Sequence, residues 1–192
     1  VNQLADKKLL LINKIPQNQF KYFKDRLYRN DNGKFKDVSN EVGISRDVAY
    51  GLSVNATDFN NDGWVDLYVA NDYSEPDFMY YNNGDGTFTN VINEKLKHIS
   101  QYSMGSDTGD INNDGLIDLI TTDMTPEDHY RSKMNMASMS TERFNKMVEA
   151  GAHYQYMTNT LQINTGLGTF SDISNMTGMA YTDWSWASLI VD

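Results

Sequence analysis

The chain has no cysteine, so disulfides, thiolate metal centres and cysteine nucleophiles are all excluded. Only three histidines occur, His98, His129 and His153, scattered without ligand spacing, and each is read as structural or surface. Long apolar runs are missing too: Leu9 to Ile12 falls far short of the roughly 20 residues a membrane-spanning helix needs. No signal peptide is visible, and an opening on Val1 is what a fragment or a processed product would show. Positive charge is scarce. With 16 basic against 26 acidic residues the net charge is −10, which argues against nucleic acid or an anionic membrane surface as the main partner. Also absent are G-x-S-x-G, Walker A and G-x-G-x-x-G motifs, leaving nucleophilic hydrolases and nucleotide enzymes without support.

What is present is repetition. A first copy runs Leu27-Tyr28-Arg29-Asn30, Gly33-Lys34-Phe35, Leu52-Ser53 and then Asp58; a second runs Met79-Tyr80-Tyr81-Asn82, Gly86-Thr87-Phe88, Met104-Gly105 and then Asp110. Asn30 to Asn82 and Asp58 to Asp110 are both 52 residues apart, so two landmarks give one period. A third copy follows as Leu161-Gln162-Ile163-Asn164, Gly168-Thr169-Phe170 and Trp186-Ala187, and its Asp192 falls where Asp58 and Asp110 fall. Asn82 to Asn164 and Asp110 to Asp192 are each 82 residues, which places a 30-residue insertion between 118 and 160.

Within each copy, Trp64 to Ala70 and Leu116 to Thr122 are rich in strand formers, while Asn30 to Gly33 and Asn82 to Gly86 carry hairpin-turn chemistry. A repeat of roughly 40 to 50 residues with several short strands points to propeller blades. The expected fold is therefore all-β, a partial β-propeller with a short helical insertion near 130–152. In the insertion, Ser140 is expected to cap a helix over Thr141 to Ala150, with Phe144, Met147 and Val148 on one face and Gly151 as the stop. The expected divisions are a preceding remnant at 1–24, a first repeat at 25–78, a second at 79–160 with its insertion near 124–157, and a truncated third at 161–192.

Two nine-residue segments carry the chemistry. Asp58, Asn60, Asp62 and Asp66 stand at positions 1, 3, 5 and 9 of one, and Asp110, Asn112, Asp114 and Asp118 at the same positions of the other. Calcium takes six to eight oxygen ligands, so it needs several carboxylates and carbonyls converging from a short, sharply turned segment. The backbone carbonyls of Trp64 and Leu116, at position 7, are the expected additional ligands, and Gly63 and Gly115 at position 6 allow the chain to fold back. The spacing resembles the first half of an EF-hand loop, but position 12 is Val69 or Thr121 instead of glutamate, so an EF-hand is rejected. A polar turn would tolerate many combinations, whereas both copies keep the same residue type at all five key positions. Two calcium sites are expected, coupled to folding because a cation relieves the repulsion among three neighbouring carboxylates.

Ala56 to Asn71 and Asn82 to Phe88 resemble the FG-GAP or VCBS repeats of integrin α-subunit propellers and of many bacterial surface proteins. Leu52-Ser53, Met104-Gly105 and Trp186-Ala187 occupy the place of that family's Phe-Gly pair. Across roughly 25 to 192 the chain is similar to long bacterial VCBS-repeat proteins related to cartilage acidic protein, some of which carry an ASPIC/UnbV domain. The resemblance implies a propeller of about seven blades, calcium in the blade loops, an exported or outer-membrane-anchored location, and association with surface nutrient-uptake systems.

The function expected from these features is a non-catalytic binding or scaffold module for protein or glycan. The alternatives are the propeller part of a carbohydrate-active enzyme with catalytic residues elsewhere, or an architectural subunit of an outer-membrane uptake complex. Asp72, Glu75 and Asp77 could be catalytic carboxylates but are read as a solvated loop. Asn83 to Phe88 resembles an Asp-box turn and is read as a turn. Met134, Met136, Met139, Met147 and Met157 make the insertion methionine-rich, suited to packing on the propeller or to binding a partner. A propeller needs about four blades to close, so further blades are expected beyond this segment.

Overall fold

The computed structural model describes residues 24–44, 49–73, 75–135 and 140–191. The remnant before residue 24, Met136, Met139 and Asp192 lie outside the described residues. In chain order, β1 (Tyr28–Asp31) and β2 (Lys34–Asp37) form an antiparallel hairpin, followed by a one-turn helix α1 (Ser39–Val42). Asn32 and Gly33 turn the hairpin with φ of 55° and 88°, the left-handed pair that a two-residue turn between right-twisted strands requires. Next come β3 (Gly51–Thr57), β4 (Asp66–Asn71), β5 (Phe78–Asn82) and β6 (Phe88–Asn90), an antiparallel sheet in sequential order. After α2 (Ile92–Lys95) and β7 (Ile99–Ser100), a second sheet is built from β8 (Gly105–Gly109), β9 (Asp118–Thr122), β11 (Thr160–Asn164) and β12 (Phe170–Asp172) in the same order. The insertion between β9 and β11 holds α3 (His129–Asn135), α4 (Thr141–Glu149) and β10 (Gln155–Tyr156), and β10 pairs in parallel with β7. Helix α5 (Ser174–Thr177) follows β12. The structure is mostly β-sheet, and among the described residues no sheet closes on itself.

The two sheets cut the chain differently from the repeat boundaries read in the sequence. The first sheet takes β3 and β4 from the repeat at 25–78 and nearly all of β5 and β6 from the next. A tandem repeat can be phased anywhere along its period, whereas strand pairing fixes where a sheet begins.

Alternation of side chains explains how the inner strands β4 and β5 are packed on both faces. Tyr68, Ala70 and Met79 face a core shared with Leu119 and Phe170 of the second sheet and with Val91, Ile92, Leu96 and Ile99 of the connection. Phe78 and Tyr80 face the other way, packing with Leu67, Val69, Leu27 and Val42. The one-turn helices recur because each is entered through the same side chain: Asp37, Asn90 and Asp172 Oδ1 accept the N–H two residues on, at 3.1, 3.2 and 2.9 Å.

Neighbouring copies meet along β3, β8 and the extended segment ending at Val191. Ser106 Oγ donates to Ser53 Oγ at 3.0 Å, and Ile190 N donates to Asp107 Oδ2 at 2.7 Å. A Cβ added at Gly105 would lie 2.6 Å from the Trp186 carbonyl oxygen. The close approach explains why the second residue of each repeated pair is small: Ser53, Gly105, Ala187.

The predicted helix is present. Ser140 Oγ caps α4 by accepting from Arg143 N at 3.2 Å, and Gly151 adopts φ 89° just beyond it. Phe144 stacks on Tyr156 at 5.4 Å, tying the insertion to β10. Its methionines divide: Met157 packs beside Tyr102, Met104 and Met124, while Met134 is exposed.

Candidate metal-binding loops

Residues 58–65 join β3 to β4, and residues 110–117 join β8 to β9, at the same end of each sheet. The two loops share one network. Asp58 Oδ1 and Oδ2 accept from Asp62 N (3.1 Å) and Gly63 N (2.7 Å); Asp110 accepts from Asp114 N (3.0 Å) and Gly115 N (2.8 Å). Asn60 Oδ1 accepts from Asp62 N at 3.0 Å, and Asn112 Oδ1 from Asp114 N at 3.1 Å. Asp62 Oδ1 takes Trp64 N and Asp114 Oδ1 takes Leu116 N, both at 2.8 Å. Gly63 and Gly115 have φ of 90° and 83°, as the fold-back predicted. Asn61 and Asn113 are also left-handed, at 57° and 58°, a conformation asparagine tolerates better than most residues.

Position 9 has a second task that the spacing alone did not reveal. Asp66 is fully buried; its Oδ2 accepts Phe59 N at 3.0 Å and its Oδ1 accepts Asn82 N at 2.8 Å. Asp118 repeats this with Ile111 N at 2.9 Å and Asn164 N at 2.8 Å. Each carboxylate thus ties its loop to the neighbouring hairpin. Burial raises the pKa of both, the backbone donors oppose that rise, and the nearby loop carboxylates Asp62 and Asp58, or Asp114 and Asp110, add to it. The loops therefore contain mutual carboxylate repulsion that a cation would relieve.

Position 7 is also anchored. A Cβ on Gly84 would come within 2.9 Å of the Trp64 indole nitrogen, and one on Gly166 within 3.2 Å of Leu116 Cδ1. The hairpin glycines let the position-7 side chains lie over the turn.

Among the described residues, no group of three or more His, Asp or Glu side chains is arranged to hold a metal ion. Each loop also holds an internal amide bond: Asn60 Nδ2 donates to Asp62 Oδ2 at 2.8 Å, and Asn112 Nδ2 to Asp114 Oδ2 at 2.9 Å. An amide donor here meets the oxygen that a cation would otherwise meet. The donor set nevertheless fits calcium. Asn60, Asp62, Asn112 and Asp114 are exposed, all the side-chain donors are hard oxygens, and a carboxylate oxygen that accepts one N–H keeps another lone pair.

At the other end of the sheets the structure corrects the reading of Asp77 as part of a solvated loop. Asp77 is fully buried, accepting from Asn71 N at 2.7 Å, Ser103 Oγ at 2.8 Å and Tyr68 Oη. Asp72 and Glu75 remain partly exposed. Asp123, also buried, accepts from Ser100 Oγ (2.6 Å), Gln101 N (3.2 Å) and Tyr102 N (3.0 Å). Burial pushes Asp77 up to about 7 and Asp123 up to about 6. Between them they grip the connection from the first sheet to the second. His98, in the same connection, bonds Asp172 at 2.9 Å.

No curated protein gives a significant match to the chain. Residues 22–69 and 58–121 match the FG-GAP-like repeat, and together these segments cover more than half of the chain. Each segment includes residues 58–66, and the second ends just beyond residue 118. The chain belongs to the FG-GAP-like repeat family.

Proposed function

We propose that this chain is a calcium-binding segment of a β-propeller in an exported surface protein of the VCBS type, acting as a non-catalytic module that binds or scaffolds protein or glycan. The observation that carries the proposal is the matched bonding of the two loops, in which seven hydrogen bonds recur with lengths that agree within 0.1 Å. Turns that served only to reverse the chain would have no reason to keep Asp, Asn, Asp and Asp at matched positions. Three consecutive copies laid side by side along β3, β8 and the segment to Val191 support successive blades around an axis. Loops with three carboxylates, one of them buried, suit the weak, submillimolar to millimolar affinities of extracellular calcium modules. A non-catalytic reading is favoured because the two carboxylates with strongly raised pKa, Asp77 and Asp123, are sealed from solvent and committed to internal donors.

Thermal melts with calcium and with a chelator test the proposal. Saturating calcium should stabilise the chain by about 2 kcal/mol or more. Asp62→Ala or Asp114→Ala should each remove at least half of the gain, and the double variant all of it. Melts unaffected by chelator would overturn the calcium reading. The binding role is tested on the full-length protein with a glycan array and a turnover assay, where hydrolysis that maps to residues of this segment would overturn the non-catalytic reading.

A further inference from the structure

One side chain touches both cation loops. Asn164, at the end of β11, is only 6% exposed. Its backbone N–H donates to Asp118 Oδ1 at 2.8 Å, which is position 9 of the second loop. Its Nδ2 crosses to the other sheet and donates to the Phe59 carbonyl at 2.9 Å, which is position 2 of the first loop. The N–H of Phe59 in turn donates to Asp66 Oδ2 at 3.0 Å, position 9 of that loop. Three hydrogen bonds thus lead from the ninth position of one loop to the ninth of the other.

The path is dry. Asp66 and Asp118 have no exposed surface and Phe59 is 2% exposed. The Phe59 ring also meets Phe170 edge-on at 6.1 Å, closing the seam with an apolar contact. Asn82, the matching residue of the first unit, makes the same backbone bond to its own loop, and its Nδ2 donates to Val65 O at 3.2 Å. Asn164 Nδ2 makes the equivalent bond to Ile117 O at 3.4 Å, and the bond to Phe59 O is its addition at the seam between the two sheets.

Resting on the calcium reading above, we propose that Asn164 is a positioning residue that couples the two loops, so that calcium in one raises the affinity of the other. A cation that orders one loop fixes its ninth-position carboxylate, and with it the shared seam. The second cation then meets a seam already ordered, which is how one binding event favours another without a change of shape.

The two loops can be told apart because Trp64 lies in the first and Leu116 holds the same position in the second. With Trp184 and Trp186 replaced by phenylalanine, terbium luminescence sensitised by Trp64 reports the first loop, while calorimetry with calcium counts both. Disabling the second loop with Asp114→Ala should weaken the first about fivefold or more. In an Asn164→Leu background, which keeps the N–H to Asp118 and loses Nδ2, the same change should weaken it less than about twofold. Melts in chelator establish that the leucine variant folds; if it does not, Asn164→Ala replaces it. First-loop affinity independent of the second loop, or coupling that survives loss of the Asn164 amide, overturns the proposal while leaving two calcium sites in place. Absence of calcium binding in calorimetry overturns the calcium reading and the coupling together.

Discussion

The two ends of the sheets treat their acids differently. At the loop end, Asp58, Asn60, Asp62 and Asp66 are repeated without change as Asp110, Asn112, Asp114 and Asp118. At the opposite end the corresponding pairs are exchanged: Asn71 with Asp77 in the first unit becomes Asp123 with Asn159 in the second. The backbone bond is nonetheless the same, Asn71 N to Asp77 Oδ1 and Asp123 N to Asn159 Oδ1, both at 2.7 Å. A site that faces solvent and gathers carboxylates needs each of them in place. A buried pair needs one acceptor for one backbone N–H and no more than one carboxylate, since two would repel in a medium that screens poorly. Which partner carries the acid is then free to vary.

The largest expected effect separates the buried strut Asp66 from the exposed Asp62 within the loop end. Asp66→Ala leaves the N–H groups of Phe59 and Asn82 without their acceptor, and should cost about 3 kcal/mol even in chelator. Asp118→Ala should cost less, about 2 kcal/mol, because Ile111 is 38% exposed and water can reach its N–H. Asp62→Ala, at an exposed position, should cost less than about 0.5 kcal/mol in chelator and act only through calcium. Equal losses for Asp66 and Asp62 in chelator would remove the distinction.

That distinction also marks what could be read in the sequence. The loops were legible because their chemistry acts within nine residues, and the insertion helix because Ser140 and Gly151 sit at its own ends. The strut role of Asp66 was not, since Asn82 lies 16 residues away and no spacing rule links them. The buried pairs were hidden more thoroughly. Asp77 receives Ser103 from 26 residues away, and Asp123 is supported by Asn159 at 36, while the exchange of acid and amide makes the two units look unrelated. Beside Asp72 and Glu75, Asp77 looked like one more surface carboxylate. The parallel pairing of β10 with β7 was equally invisible, as it depends on the insertion returning to the connection between sheets.

A second effect concerns pH. Asp77, raised to about 7, and Asp123, raised to about 6, owe the shift chiefly to burial, and both hold a proton more tightly in the folded chain than in the unfolded one. The folded state therefore carries more bound protons between about pH 4 and 7. Their stabilisation is fully present below the unfolded pKa and is lost as pH rises through 6 and 7. In chelator, stability should fall by about 2 kcal/mol between about pH 6 and 8, and Asp77→Asn should flatten much of that slope. Stability that instead rises over this range in chelator would show that the buried acids do not govern it.

The smallest expected effect is a difference between variants, and it bears most directly on why the two ends differ. Asn71→Asp alone sets a second carboxylate beside Asp77 in the buried site, and Asp77→Asn alone removes the carboxylate that Tyr68 and Ser103 address. The double exchange restores one acid and one amide in the order already present at Asp123 and Asn159. It should therefore be more stable than the sum of the single losses by about 1 kcal/mol, measured as a double-mutant cycle by denaturant unfolding in chelator. The recovery should be incomplete, because the Asn71 amide also donates to the Pro76 carbonyl at 2.8 Å, which an aspartate cannot do. Strict additivity would mean that the two side chains act separately, and that the exchange between units has a cause other than the need for a single carboxylate.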